Sequence, residues 1–256
     1  MNRTRKVIVQ VLFYSALIAV WQVIASMKIW PAYLFPTPLS VFNAFCEGFT
    51  DKSFIIGILA SMKRILIGYG LSIFGGVMLG FLMSQVKIVE QTVGSLVLGL
   101  HTLPSICWLP VGILWFGLSD AAIMLVIILG SLFSITIAAD DSVKNISPIY
   151  VRAARTMGAS GWRLYRDVVL PAALPGIVSG LKQGWSFAWR SLMAGELLFV
   201  SLGLGHLLQM GRELNDMSKV FAVMFVIVAI GIVVDLWVFG QIEKRIRVRW
   251  GLSGAR

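Results

Sequence analysis

Charge is scarce in this chain. Of its 256 residues, 13% are Asp, Glu, Lys or Arg and 58% are hydrophobic, with a mean hydropathy of +0.86. A soluble domain of this length needs a far more charged surface, so a soluble globular protein is excluded. Cysteine and histidine are scarce too, at two each. Cys46 and Cys107 imply neither a disulfide framework nor a metal site. His101 and His206 lie far apart, without H-x-x-x-H or H-E spacing, so neither a metal site nor a histidine-based membrane enzyme finds support. No G-x-x-x-x-G-K-[ST] phosphate loop occurs, so this chain is expected to bind no ATP itself. The absence of an internal repeat or a ring-forming filter motif weakens the competing reading, a secondary transporter or channel working without ATP.

What fills the chain instead is apolar blocks of about 20 residues, the length that a hydrocarbon layer of about 30 Å asks of a helix. Six spans are expected, at about 7–27, 64–85, 93–117, 121–139, 172–199 and 219–240. Continuous runs rather than short alternating segments exclude a barrel, so the fold class is an all-α membrane protein. With the N-terminus inside, 14 Lys and Arg fall on the cytoplasmic side, among them Arg3, Lys6, Arg247 and Arg256. Six fall outside, counting Lys63 and Arg64, and Lys182 and Arg190 lie within a span. That bias puts both termini in the cytoplasm. The net charge of +10 then reads as topology and contact with anionic lipid headgroups, not as nucleic-acid binding. The first block also resembles a signal peptide ending at Val23-Ile24-Ala25, but its length and its Tyr14, Trp21 and Gln22 favour a retained span.

Three segments carry finer signals. Between the first two spans, Pro31, Pro36 and Pro38 make an extended start, and 39–49 is expected as a short surface helix capped by Thr37 or Ser40. Pro104 and Pro110 should bend the third span, with Trp108 and Trp115 flanking a bend that is either a packed kink or faces a translocation path. In the fifth span, Lys182, Trp189 and Glu196 are seven apart, and Trp185, Ser186 and Met193 share their sector. Such a face is expected to line the path, because charge at membrane depth is expensive. Asp235 reads as a packing group in the last span.

The loop between the fourth and fifth spans is the most informative stretch. Ser147 and Pro148 suit a helix start, and Gly158 suits the left-handed residue past its end, giving a helix at 148–157. Ala153 and Ala154 leave one patch of it without bulk, open to a partner's close approach. A second short helix, about 161–169, is expected to end at Leu170-Pro171. Arginines at 152, 155, 163 and 166 complete a cytoplasmic docking surface.

The order Ala153-Ala154, Gly158, Val168, Leu170-Pro171 resembles the E-A-A…G…I-x-L-P loop of the permease subunits of ABC importers, with Arg152 where that pattern has Glu. Leu103 to Pro110, Trp115 to Leu118, Pro171 to Pro175 and Ala194 to Leu197 with Gly203 to Gly205 resemble the sulfonate, taurine and nitrate branch, over most of 60–245. The resemblance implies a type I (MetI-like) importer fold. It would comprise an N-terminal helix and external loop at 1–63, a permease core at 64–245 with coupling loop 140–171, and a cytoplasmic tail at 246–256. It also implies a homodimer in the inner membrane of a bacterium, with a separate ATPase subunit holding ATP and Mg and an external solute-binding protein. Docking would fall to Arg152, Ala153, Ala154, Gly158, Leu170 and Pro171, and the path to Lys182, Trp185, Trp189, Glu196 and Trp108. The solute would be a small anion moved by alternating access.

Overall fold

The computed structural model describes residues 3–198 and 201–250, and every regular element among them is helical. Residues 1 and 2, residues 199 and 200, and the tail residues 251–256, Arg256 included, lie outside the described residues. The helices are α1 (Arg3–Ser26), α2 (Pro38–Thr50), α3 (Ser53–Gln85), α4 (Lys87–His101), α5 (Ser105–Phe116), α6 (Asp120–Lys144), α7 (Pro148–Thr156), α8 (Gly161–Leu198), α9 (Leu204–Glu213) and α10 (Met217–Ile246). Of these, α1, α3, α6, α8 and α10 are long and apolar enough to cross a membrane. The pair α4 and α5, bent by 101°, passes the same test together and makes either a sixth, broken span or a re-entrant loop.

That break corrects one detail of the sequence reading. The bend falls at Thr102 to Pro104, where Pro104 has extended backbone (ψ 129°). Pro110 bends nothing, because it sits in the first turn of a new helical stretch beginning at Leu109, where no intrahelical donor is required.

The chain divides into two compact units, Met1–Ala60 with Val200–Val228 and Ser61–Phe199 with Ala229–Arg256. In the first, α1 runs unbroken through Val23-Ile24-Ala25, and the Trp21 Nε1–H donates to Pro36 O at 3.0 Å while its ring meets Phe221 and Phe225. Helix α2 starts as expected: the Ser40 N–H donates to Thr37 Oγ1 at 3.2 Å. Phe45, Phe49 and Phe54 then pack ring to ring across the turn into α3.

The second unit is built around α6, the most buried of the spanning helices. Lipid tails are as apolar as leucine, so helices in a membrane associate by close packing, and small residues every fourth position permit it. Helix α3 offers Gly68, Ser72, Gly76 and Gly80 at that spacing, and α8 offers Gly176, Gly180 and Gly184. Both ridges press on α6. A Cβ on Gly180 would lie 2.3 Å from the Ala138 Cβ, and one on Gly80 would lie 2.5 Å from Thr136 O. Ile135 is clasped from both sides, 2.9 Å from a Cβ on Gly76 and 2.6 Å from one on Gly184.

Helix α8 is longer than expected and does not stop at Leu170-Pro171. It begins at Gly161, passes through a π turn at Tyr165–Val169 and continues through Pro171 and Pro175 to Leu198. Proline removes a donor and crowds the preceding turn. The wider turn just before Pro171, in which the Leu170 N–H reaches back five residues to Tyr165 O, accommodates that loss without ending the helix. At 38 residues, α8 is about 57 Å long, well beyond an apolar layer of about 30 Å, so part of it projects from the membrane.

Polar contacts mark the two ends of this unit. At one end the Tyr165 hydroxyl donates to Gln85 Oε1, and Lys144 Nζ lies 2.6 Å from both Glu90 Oε1 and Asp140 Oδ2. At the other, Arg64, Asp120 and Glu196 join α3, α6 and α8.

Candidate translocation surface and coupling loop

Helix α7 folds as the sequence suggests at its end. Gly158 has φ +84°, the Gly158 N–H donates to Arg155 O at 3.0 Å, and the Ala159 N–H reaches Ala154 O at 2.9 Å. These two bonds form the Schellman arrangement and satisfy carbonyls that the helix end would leave open. At the start, Pro148 occupies the first turn as expected, but the Ser147 hydroxyl makes no capping bond.

The two alanines part company. Ala153 is exposed, whereas Ala154 is buried against Leu164 and Val169, with Val143 and Ile146 beside them. The smallness of Ala154 therefore serves packing within the chain, and it is not on the outward patch where the sequence reading placed it. The face turned away from the protein carries Ile149, Tyr150, Ala153 and Met157, the last 88% exposed, flanked by the exposed Arg152 and Arg155. Trp162, 77% exposed, stands at the foot of α8 just beyond. Of the other residues assigned to this surface, Leu170 is partly exposed and Pro171 half-buried, both inside α8.

The face of α8 expected to line a path is its packed face. Trp185 and Trp189 stack with centroids 6.1 Å apart and are buried. Trp185 also meets Tyr69, whose hydroxyl donates to Leu181 O at 2.6 Å. Glu196 is 0% exposed: the Ser61 hydroxyl donates to its carboxylate, and Arg64 Nη1 lies 2.7 Å from Oε1. Lys182 is half-buried and faces the last span, 3.2 Å from Asp235 Oδ1 and 3.9 Å from Glu243 Oε1. Asp235 is thus the packing group expected, with Lys182 as its partner. Seven-residue spacing does put Lys182, Trp189 and Glu196 on one side. Periodicity alone cannot say whether that side points inward, and the glycine ridge and the indoles turn it toward neighbouring helices. Trp108, in the short helix after the break, is half-buried.

Arg64 was placed outside the membrane by the sequence reading, together with Lys63. Both lie on α3, and Arg64 is only 6% exposed.

The exposed side of α8 is polar instead. Ser179, Gln183, Ser186 and Arg190 are all exposed, at spacings of four, three and four. They fall within a sector of about 60° and along about 16 Å, roughly 110° from the tryptophan face. At the Arg190 end of the stripe lies a cavity of about 370 Å³, lined by Arg190, Phe187, His101, Thr102, Ser105 and Gly130 among others. The 4-3-4 spacing is readable in the sequence, but only once the buried face is known does it mark an outward surface.

The molecule's relatives agree with this architecture. Residues 72–248 match the family model for the binding-protein-dependent transport system inner membrane component. A putative ABC transporter permease of Methanocaldococcus jannaschii is 30% identical over 91% of this chain and 88% of its own length. A putative aliphatic sulfonates transport permease of Bacillus subtilis is 28% identical over 92% of this chain and 85% of its own. Among solved structures, an inward-facing form of a methionine ABC transporter shares the fold, with a TM-score of 0.68 at 19% identity over 76% of this chain and 96% of that one. The apolar spanning helices, the bent α4–α5 pair and the capped helix between α6 and α8 therefore have their family: the chain belongs to the binding-protein-dependent transport system inner membrane components, the permeases of ABC importers, and has the type I fold.

Proposed function

We propose that this chain is the permease of an ATP-driven importer for a small anionic solute, with the polar stripe of α8 lining the path. The observation that carries this is the stripe itself. A guanidinium and three polar side chains exposed together along a spanning helix are too expensive to face lipid tails, so they face water or a second membrane subunit. A second copy of this chain, with stripes opposed, encloses such a path between the two.

The outward face of α7 is the grip for a separate ATPase subunit, which holds ATP and Mg. Its apolar centre of Ile149, Tyr150 and Met157, rimmed by arginines, suits a cytoplasmic protein partner. Both termini then lie in the cytoplasm, and a solute-binding protein delivers from the opposite side. ATPase closure moves α7, and the helices rock between outward and inward openings. Arg190 is the stripe's one charge and is cationic, and the Bacillus subtilis relative is named for aliphatic sulfonates, so an anion of sulfonate type fits both.

Single cysteines at positions 183, 186, 185 and 189, in a chain with Cys46 and Cys107 replaced by Ser, test the stripe. A small water-soluble thiol reagent is expected to label 183 and 186 in at least one state of the transporter and to spare 185 and 189. Labelling of 185 and 189 with protection of 183 and 186 in every state would overturn the assignment.

A further inference from the structure

The geometry points to a transit site for a sulfonate headgroup in the cavity beside Arg190, so that the permease itself, and not only a binding protein, selects the solute. This rests on the importer reading and adds to it a place and a set of ligands. The guanidinium is held from two sides. Its Nε–H donates to Ser186 O at 3.1 Å, and its central carbon sits 4.7 Å over the Phe187 ring. An arginine has five N–H donors in a rigid fork, and this arrangement uses one of them, leaving the two terminal nitrogens for an oxyanion. His101 meets the same Phe187 ring in a T-shaped contact, with centroids 5.7 Å apart, and lines the cavity, and an imidazole carries at least one N–H donor.

Ser105 completes the wall. Its Oγ, at the start of α5 just after the break, lies 2.6 Å from Ser191 Oγ, buried on α8 behind the lining. Gly130 makes this meeting possible, because a Cβ there would lie 2.2 Å from Ser191 Oγ and 3.0 Å from the Ser105 Cβ. The broken backbone at 102–104 thus has a use. A straight helix would carry its side chains past this spot, whereas the break brings Thr102 and Ser105 into the lining of the cavity that Arg190 also lines. None of the lining residues is acidic, and Glu196, the nearest carboxylate along α8, is neutralised by Arg64 elsewhere. At about 370 Å³ the space admits one small organic anion and lies at the low end for ligand sites. Phe187, Leu129 and Phe133 supply apolar wall for its alkyl part.

The test uses the permease purified with its ATPase, with Cys46 and Cys107 replaced by Ser and Thr102→Cys at the cavity wall. A small neutral methanethiosulfonate reports access to position 102, and pentanesulfonate is the probe. Pentanesulfonate is expected to slow labelling. Arg190→Gln is expected to raise the concentration needed for half-protection at least tenfold, and Arg190→Lys to raise it by less. The neutral dimethyl sulfone is expected to give no protection. Protection that survives Arg190→Gln, equal protection by the sulfone, or none by pentanesulfonate would overturn the site. If position 102 stays unreactive in every state while 183 and 186 label, the site fails and the importer reading stands. Failure of all three positions to label would count against both.

Discussion

Arg64 on α3 and Glu196 on α8 are 132 residues apart in sequence and meet at 2.7 Å in the interior of the second unit. Arg64 also holds Asp120 at the start of α6, at 2.8 Å from Nη2, so one guanidinium pins three helices at one level. A buried pair of this kind fixes register more surely than it adds stability, since desolvation of both charges offsets much of their attraction. Arg64→Ala is therefore expected to destabilise by ~3–5 kcal/mol, because it leaves Glu196 charged and buried. Pairing Arg64→Met with Glu196→Leu is expected to recover most of that loss. Thermal denaturation of the detergent-purified protein distinguishes these outcomes, and equal loss in the single and double variants would contradict this account.

The glycine ridge of α8 makes a second prediction. Gly180→Leu drives a side chain into Ala138, where even a Cβ is too close at 2.3 Å, and overpacking of this sort costs about 1–3 kcal/mol or more. Gly70 on α3 meets nothing within 4 Å, so Gly70→Ala is expected to be neutral or slightly stabilising through helix propensity. Folded yield and melting temperature of the two variants check the contrast.

Just past the end of α7, Gly158 holds a left-handed conformation. Gly158→Val is expected to lose about 1–2 kcal/mol locally, and Gly158→Asn much less. The readout is coupling: the Val variant should remain in the membrane with reduced transport per ATP hydrolysed.

Docking is separable from folding on the same helix. Ala153→Trp and Met157→Asp alter exposed positions, so both should insert and fold normally while retaining less ATPase on co-purification. Ala154→Trp, in contrast, is expected to unfold the loop itself, because Leu164 and Val169 close over that position. Protease sensitivity of 148–170 separates the two effects. Full ATPase retention in both outward variants would remove α7 from the interface.

Orientation has its own measurement. A reporter fused after residue 158 is expected to behave as cytoplasmic and one near Gly205 as external, and the reverse would invert the placement of α7.

Much of the molecule was legible in its residues because it depends on local chemistry. Apolar length set the spans, Thr37 set the start of α2, and Gly158 set the end of α7, each through contacts within a few residues. The break near Pro104 was legible too, but its position was not, since Pro104 and Pro110 differ only in whether a helix has already begun. Likewise Leu170-Pro171 looked like a stop, until a π turn immediately before it absorbed the missing donor.

The sequence by itself determined the solvent, the class and the family: an apolar, charge-poor chain with one punctuated polar loop permits few architectures. Which side of α8 faces inward was decided only in three dimensions. Lys182, Trp189 and Glu196 repeat at seven, and Ser179, Gln183, Ser186 and Arg190 at four, three and four, so both stripes satisfy helical periodicity equally. The choice came from Gly180 and Gly184 fitting against α6 and from Asp235 and Arg64 waiting on other helices for Lys182 and Glu196. A charge reads as exposed or buried only through its partner, and these partners stand 53 and 132 residues away in the chain.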